Sequence, residues 1–178
     1  NNLLIGGTTT ANFDGKIDDF KVYNYTLTAE EVKLDMNRSA SQVLGSAGDN
    51  TGSAIGSASQ EYCIPGDSST CTAPVARWDF EEGSGTSAFD KSGNANTGTL
   101  TSGPTYKPGK VGKGLSFDGT NDYIDAGNAA GLQIGTGTIE AWIKTGNAGT
   151  AYRGIIAKRN AYGMFLKDNV FMIYDWGG

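Results

Sequence analysis

Short runs of alternating apolar and polar residues follow one another along most of this chain, and glycine interrupts them at close spacing. Thr138–Lys144 is the clearest strand. Val75–Glu82 alternates as well, with Ala76, Trp78 and Phe80 on the expected core face and Val75, Arg77, Asp79 and Glu81 on the other. Leu115 and Phe117 are in phase, and Asn2–Gly7, Tyr123–Gly127, Ile155–Lys158, Gly163–Leu166 and Val170–Tyr174 read as further strands. The stretch from Phe89 to Leu100 reads as a turn-rich loop entering a short strand. Many short strands joined by glycine turns predict an all-β fold, an antiparallel β-sandwich or jelly roll.

Two places depart from simple alternation. In Ile17–Tyr23, Phe20 and Val22 share a face while Ile17 is out of phase with them. That predicts either a β-bulge at Asp18-Asp19 or an aspartate pointing inward. After this strand, Thr28-Ala29-Glu30-Glu31 fits a capping box and predicts one short helix of about two turns, ending near Asn37-Arg38. Ser39–Ser59 is rich in Ser, Gly and Ala, too poor in large apolar groups to fold by itself. Residues 39–73 therefore read as a linker.

Composition narrows the chemistry. The chain has 178 residues, 27 of them glycine, and a net charge of −5 with Lys and Arg scattered. No basic stripe is present, which argues against nucleic acid as a partner. No apolar run is long enough for membrane insertion. The absence of an initiator Met and of a secretory leader is what a processed or excised piece would show. There is no histidine, which removes Ser-His-Asp and Cys-His catalysis and histidine-ligated zinc. Carboxylate-only catalysis and oxygen-ligated Ca²⁺ survive that exclusion.

Cys63 and Cys71 flank a Pro-Gly turn and read as a small disulfide loop, which implies an extracellular or cell-surface location; two unpaired thiols are the alternative. Asp79 and Glu81 stand at alternate places on one strand face, a spacing that suits a pair of catalytic carboxyls. Trp78 and Trp142 sit within alternating strands and are read as core. Tyr106, Tyr123, Tyr152, Tyr162, Tyr174 and Trp176 are aromatics that could present flat faces to sugar rings. Of these, Tyr152 and Tyr162 flank Arg153 and Lys158-Arg159-Asn160 in loop-like sequence. The candidate ligand-binding set is Tyr152, Arg153, Tyr162 and Trp176.

Several phrases resemble laminin-G-like jelly-roll domains of the concanavalin A-like lectin/glucanase class. Trp78-Asp79-Phe80-Glu81-Glu82-Gly83-Ser84-Gly85, Asp90-Lys91-Ser92-Gly93-Asn94, Leu115-Ser116-Phe117-Asp118-Gly119 with Asp122-Tyr123-Ile124, and Ile139-Glu140-Ala141-Trp142-Ile143 resemble the opening half of such a domain, in order. Phe13–Asn24 running into Leu27–Val32 resembles its end. The resemblance implies that residues 1–38 are the C-terminal part of one copy and residues 74–178 the N-terminal part of a second. It also implies that strand Lys16–Tyr23 pairs with Val75–Glu81, either within its own chain or by exchange with another molecule. The class often holds Ca²⁺ on loop rims, and Asp19, Asp90, Asn94 and Asp122 are the expected ligands, with metal-free Asx turns as the alternative.

The function implied is that of an extracellular carbohydrate- or protein-binding adhesion module in a tandem-repeat surface protein, without catalysis. Two other readings stand beside it. One is a structural subunit of a fibre or sheath that self-associates through an open sheet edge. The other is an accessory domain of an extracellular glycoside hydrolase.

Overall fold

The computed structural model describes residues 1–8, 10–41, 73–146 and 150–175. The expected Cys63–Cys71 loop and Trp176 lie outside these residues. Among the described residues the chain is an antiparallel β-sandwich with one short helix. The strands in order are β1 (Leu3–Ile5), β2 (Asp14–Tyr23), β3 (Ala76–Trp78), β4 (Ser87–Ala88), β5 (Gly98–Thr101), β6 (Thr105–Pro108), β7 (Lys113–Asp118), β8 (Tyr123–Asp125), β9 (Thr138–Thr145), β10 (Arg153–Lys158), β11 (Tyr162–Lys167) and β12 (Val170–Asp175). The helix α1 spans Ala29–Ser41 between β2 and β3.

The larger sheet has the order β12-β11-β10-β1-β8-β5-β4. The smaller sheet is built around β2. One edge of β2 carries β9 along nearly its whole length, from Gly15↔Thr145 to Tyr23↔Thr138. The other edge is shared by β7, at Asp14 to Ile17, and β3, at Phe20 to Val22. β6 follows β7 as the outermost strand. Of the two pairings open to the Lys16–Tyr23 strand, the intrachain one is present: Phe20 lies opposite Trp78 of its own chain. Residues 1–41 and 73–175 thus contribute strands to both sheets and to one core, in which Leu3, Ile5, Phe13, Ile17 and Phe20 pack with Trp78, Leu115, Ile124 and Ile156.

The flaw in β2 is resolved by the first of its two expected solutions, a β-bulge. The register against β9 slips between Asp18 and Lys21, and Asp19 sits at φ 50. This extra residue brings Ile17 and Phe20 onto the same face, and both are fully buried. Asp18 is also buried, but on the outward side, under the turn before β7. Its Oδ2 accepts hydrogen bonds from the backbone N–H of Lys110 at 2.7 Å and Val111 at 2.9 Å. Gly109 permits this, since a Cβ there would lie 2.5 Å from Asp18 Oδ2. Burial raises the Asp18 pKa above the ordinary value even against those donors.

Other elements depart from expectation in length. The capping box closes as read: Thr28 Oγ1 accepts from the Glu31 N–H at 3.2 Å, and the Thr28 N–H donates to Glu31 Oε2 at 2.6 Å. The helix then continues to Ser41, into the stretch read as linker. β3 ends at Trp78, because Phe80 turns to φ 56 and takes the chain out of the sheet. Trp78 is fully buried and donates its indole N–H to the Asn96 carbonyl at 2.9 Å. Trp142 is not core. It shares the outward face with Glu140, and Lys110 Nζ stands 4.8 Å from its ring centre.

Candidate functional site

Alternation in the larger sheet sends Leu3 and Ile5 into the core and leaves Leu4 on the opposite face. Across the strands from Leu4 lie Ala157 of β10, then Gly163 of β11, then Tyr174 of β12. Two small residues between Leu4 and Tyr174 make a hollow. The next row supplies Phe165, which packs with Ala11 and Ala157 as a small second cluster separate from the core. Tyr152, just before β10, completes an aromatic wall. Phe165 meets Tyr152 edge-on at 6.3 Å and Tyr174 edge-on at 5.6 Å, and the Tyr174 hydroxyl donates to the Tyr152 hydroxyl at 3.4 Å. Lys167 Nζ stands 4.8 Å from the centre of the Tyr152 ring, a cation–π contact that steadies it.

This hollow has a volume of about 880 Å³, within the range of small-ligand sites. Its rim carries amide, hydroxyl and guanidinium groups from Asn2, Asn160, Thr8, Thr10 and Arg159, and among the described residues no carboxylate side chain lines it. Part of this edge is held by hydrogen bonds. Asn1 Nδ2 donates to the Arg159 carbonyl, and Asn2 Nδ2 donates to both Asp125 oxygens at 2.9 Å. Tyr152 is 41 % exposed, a large apolar-bodied group held in place yet open to solvent.

The sequence-based candidates meet this site unevenly. Tyr152 belongs to it. Arg153 is half-buried beside it and binds inward: its Nη1 donates to the carbonyls of Asn12 at 3.3 Å and Gly119 at 3.4 Å, tying two loops together. Tyr162 is on the other side of the sheet, buried in the core, with its hydroxyl donating to the Leu132 carbonyl at 2.9 Å. A sugar-stacking role for Tyr162 is thereby corrected, because strand alternation groups it with Leu166 in the core rather than with the loop before β10. Phe165, Asn2, Thr8 and Thr10 were not foreseen. They come together only through the β1–β10–β11 pairing, and no local motif marks them.

The expected Ca²⁺ ligands are dispersed over separate places. Asp90 is saturated by protein donors: the N–H groups of Arg77, Ser92 and Asn96, and the Asn96 amide. Burial pushes its pKa up, but these donors outweigh burial and bring it below the ordinary value. Asn94, in the same loop, donates to the Val75 carbonyl at 3.1 Å. Asp122 is buried and accepts from the Asp118 N–H at 3.1 Å, and burial raises its pKa. Asp19 pairs with Lys21 at 3.2 Å. Among the described residues no three acidic, histidine or cysteine side chains are grouped as a metal ion requires.

The acids that suggested hydrolysis are also engaged elsewhere. Asp79 is bound by Arg77 Nε at 2.5 Å, and Glu81 accepts from the Lys113 N–H at 3.0 Å. A denser charged group lies on the outward face of the smaller sheet. Lys21 of β2 is opposite Glu140 of β9 on one side and Arg77 of β3 on the other. Its Nζ binds Asp19 and, at 2.6 Å, Asp35 of α1, so the group anchors the helix to the sheet. Glu140 sits beside Asp35 with both carboxyl oxygens buried. Burial, then the neighbouring Asp35, push its pKa up to about 8.

Compared with known proteins, the chain matches no family model, no curated protein and no solved structure.

Proposed function

We propose that the chain is an extracellular, laminin-G-like binding module that holds carbohydrate on the outward face of its larger sheet and performs no bond chemistry. The observation that carries this reading is the Tyr152–Phe165–Tyr174 wall opening on a hollow rimmed by neutral amides, hydroxyls and one guanidinium. A pyranose ring has an apolar C–H face and a periphery of hydroxyls. The ring face packs on the tyrosine bodies, and the rim groups exchange hydrogen bonds with the hydroxyls. The bond from the Asn2 amide to Asp125 sets that side chain before a ligand arrives, so less freedom is lost on binding.

The test is titration of the chain against a panel of neutral and acidic oligosaccharides, read by calorimetry. Binding is expected to fall about tenfold in Tyr152→Ala and again in Tyr174→Ala, the scale of one lost aromatic contact. Phe89→Ala, an exposed aromatic that does not line the hollow, is the control and leaves affinity unchanged. Absence of binding across the panel, or binding indifferent to both tyrosines, overturns the proposal.

A further inference from the structure

The two sheets of the sandwich do not end together. On one side the larger sheet runs out through β10, β11 and β12, while the smaller sheet stops at β9. Register places Ile173 of β12 opposite Met164, and Phe171 opposite Leu166. Met164 packs against the core and Leu166 lies within it, so Phe171 and Ile173 point toward the core side of their sheet. Yet Phe171 is 46 % exposed and Ile173 is 71 % exposed. Their exposure is a matter of position: among the described residues no strand lies across from β12. The result is a cleft of about 580 Å³ between β9 and the inner faces of β10–β12.

The cleft specifies its occupant in three ways. First, among the described residues β9 is bonded along one edge only, to β2, so its other edge offers backbone donors and acceptors to an extended segment. Second, the side of that segment facing the cleft must be apolar, to cover Met164, Phe171 and Ile173. Third, its opposite side lies next to Glu140, which projects from the outward face of β9 beside Asp19 and Asp35. Lys21 is the cation already bonded there, to Asp19 and Asp35, while the Glu140 oxygens are buried without a donor. Among the described residues no Lys or Arg lines the cleft. A basic side chain across from Glu140 would replace the proton that burial and Asp35 keep on it, so charge complementarity with the Asp19, Asp35 and Glu140 group calls for one there.

We propose that this open side is a docking site for an extended polypeptide segment of a partner protein, alternating apolar and basic residues, which adds to β9 as the next strand of the smaller sheet. The apolar side chains close the cleft over β11 and β12. A Lys or Arg takes the place beside Glu140 that the chain itself leaves without a donor. A second copy of this chain is a poorer occupant, because its net charge of −5 opposes an acidic rim.

The experiment uses the nitrogen-labelled chain and two short synthetic peptides, one alternating valine with lysine and one alternating valine with glutamate. The lysine peptide is expected to shift the amide resonances of Thr138–Thr145 and Val170–Asp175 and to bind about tenfold tighter than the glutamate peptide. Glu140→Gln is expected to narrow that preference to about threefold, the size of one cross-strand charge pair. Ile173→Asp, on the exposed face of β12, is expected to abolish binding while leaving the β2 resonances in place. The proposal is overturned if neither peptide binds. It is equally overturned if Ile173→Asp binds as well as the parent. Sedimentation showing that the chain alone pairs with itself through β9 also overturns it, in favour of a second copy.

Discussion

Two outer strands of the smaller sheet, β6 and β9, solve the same problem differently. An edge strand exposes unpaired backbone groups and invites other strands to join it. β6 is short and ends in Lys107-Pro108, and a proline has no N–H to offer a newcomer. β9 is twice as long, carries Ile139, Ala141, Trp142 and Ile143, and borders an apolar cleft. One edge is finished and the other is built to continue. The same contrast holds for buried acids on the two sides. Asp90, near β3, receives four protein hydrogen bonds, whereas Glu140, on β9, receives none from a donor group. Asp90 is satisfied from within its own side of the sandwich, and Glu140 beside the cleft is not.

Substitutions that probe each side separate the two descriptions. Trp78→Ala, at the closed side, removes a fully buried indole and the hydrogen bond to Asn96, and is expected to cost about 3–5 kcal/mol. Urea unfolding measures it. Asp90→Ala comes next, at about 2–3 kcal/mol, since it leaves several buried donors without an acceptor. Because the folded Asp90 pKa lies below its ordinary value of 3.8, its contribution is complete above that pH. It is lost as pH falls through the lower folded value, so the gap between parent and Asp90→Ala is expected to shrink in acid.

Glu140 has the opposite sign. Its folded pKa, about 8, lies above the ordinary 4.5, so the folded chain holds a proton that the unfolded chain releases in between. Stability linked to Glu140 is complete below pH 4.5 and declines as pH rises through about 8. Glu140→Gln mimics the protonated form. Discounted for partial exposure, it is expected to stabilise the chain by about 1–2 kcal/mol in mild alkali and to change little in acid. Thermal unfolding at the two pH values reads this directly. Ile173→Ser, on the uncovered face of β12, is expected to change stability by less than about 0.5 kcal/mol, although the same residue type buried on β2, Ile17, would cost several times more when truncated.

Much of this arrangement is legible in the amino-acid sequence. The out-of-phase Ile17 signalled the bulge, and the spacing of Thr28 and Glu31 signalled the cap, because both are local rules. Alternation located the long strands. It missed β4 and β6, a two-residue strand and a polar strand ending in proline, which owe their pairing to neighbours rather than to their own sequence. It overextended β3, since a positive φ at Phe80 has no signature in a run that alternates so well. Within the hollow, Tyr152 was legible from its polar surroundings. Tyr162 was misplaced because the turn at Asn160 shifts it from loop to strand start, where its phase matches the buried Leu166. Phe165, Asn2 and Thr8 share the hollow only through strand pairings that span more than a hundred residues for β1 and β10, and no local motif reports that. Glu140 is the single acid on its strand. Its raised pKa arises from burial and from Asp35 on a helix far away in sequence.

The most direct measurement of whether β9 is an edge built to continue is amide hydrogen exchange across the folded chain, without and with the valine–lysine peptide. In the free chain, β2 is expected to be strongly protected and β9 and β12 weakly so, with protection of β9 rising sharply when the peptide is added. Protection of β9 already equal to that of β2 in the free chain, and unmoved by the peptide, would contradict it.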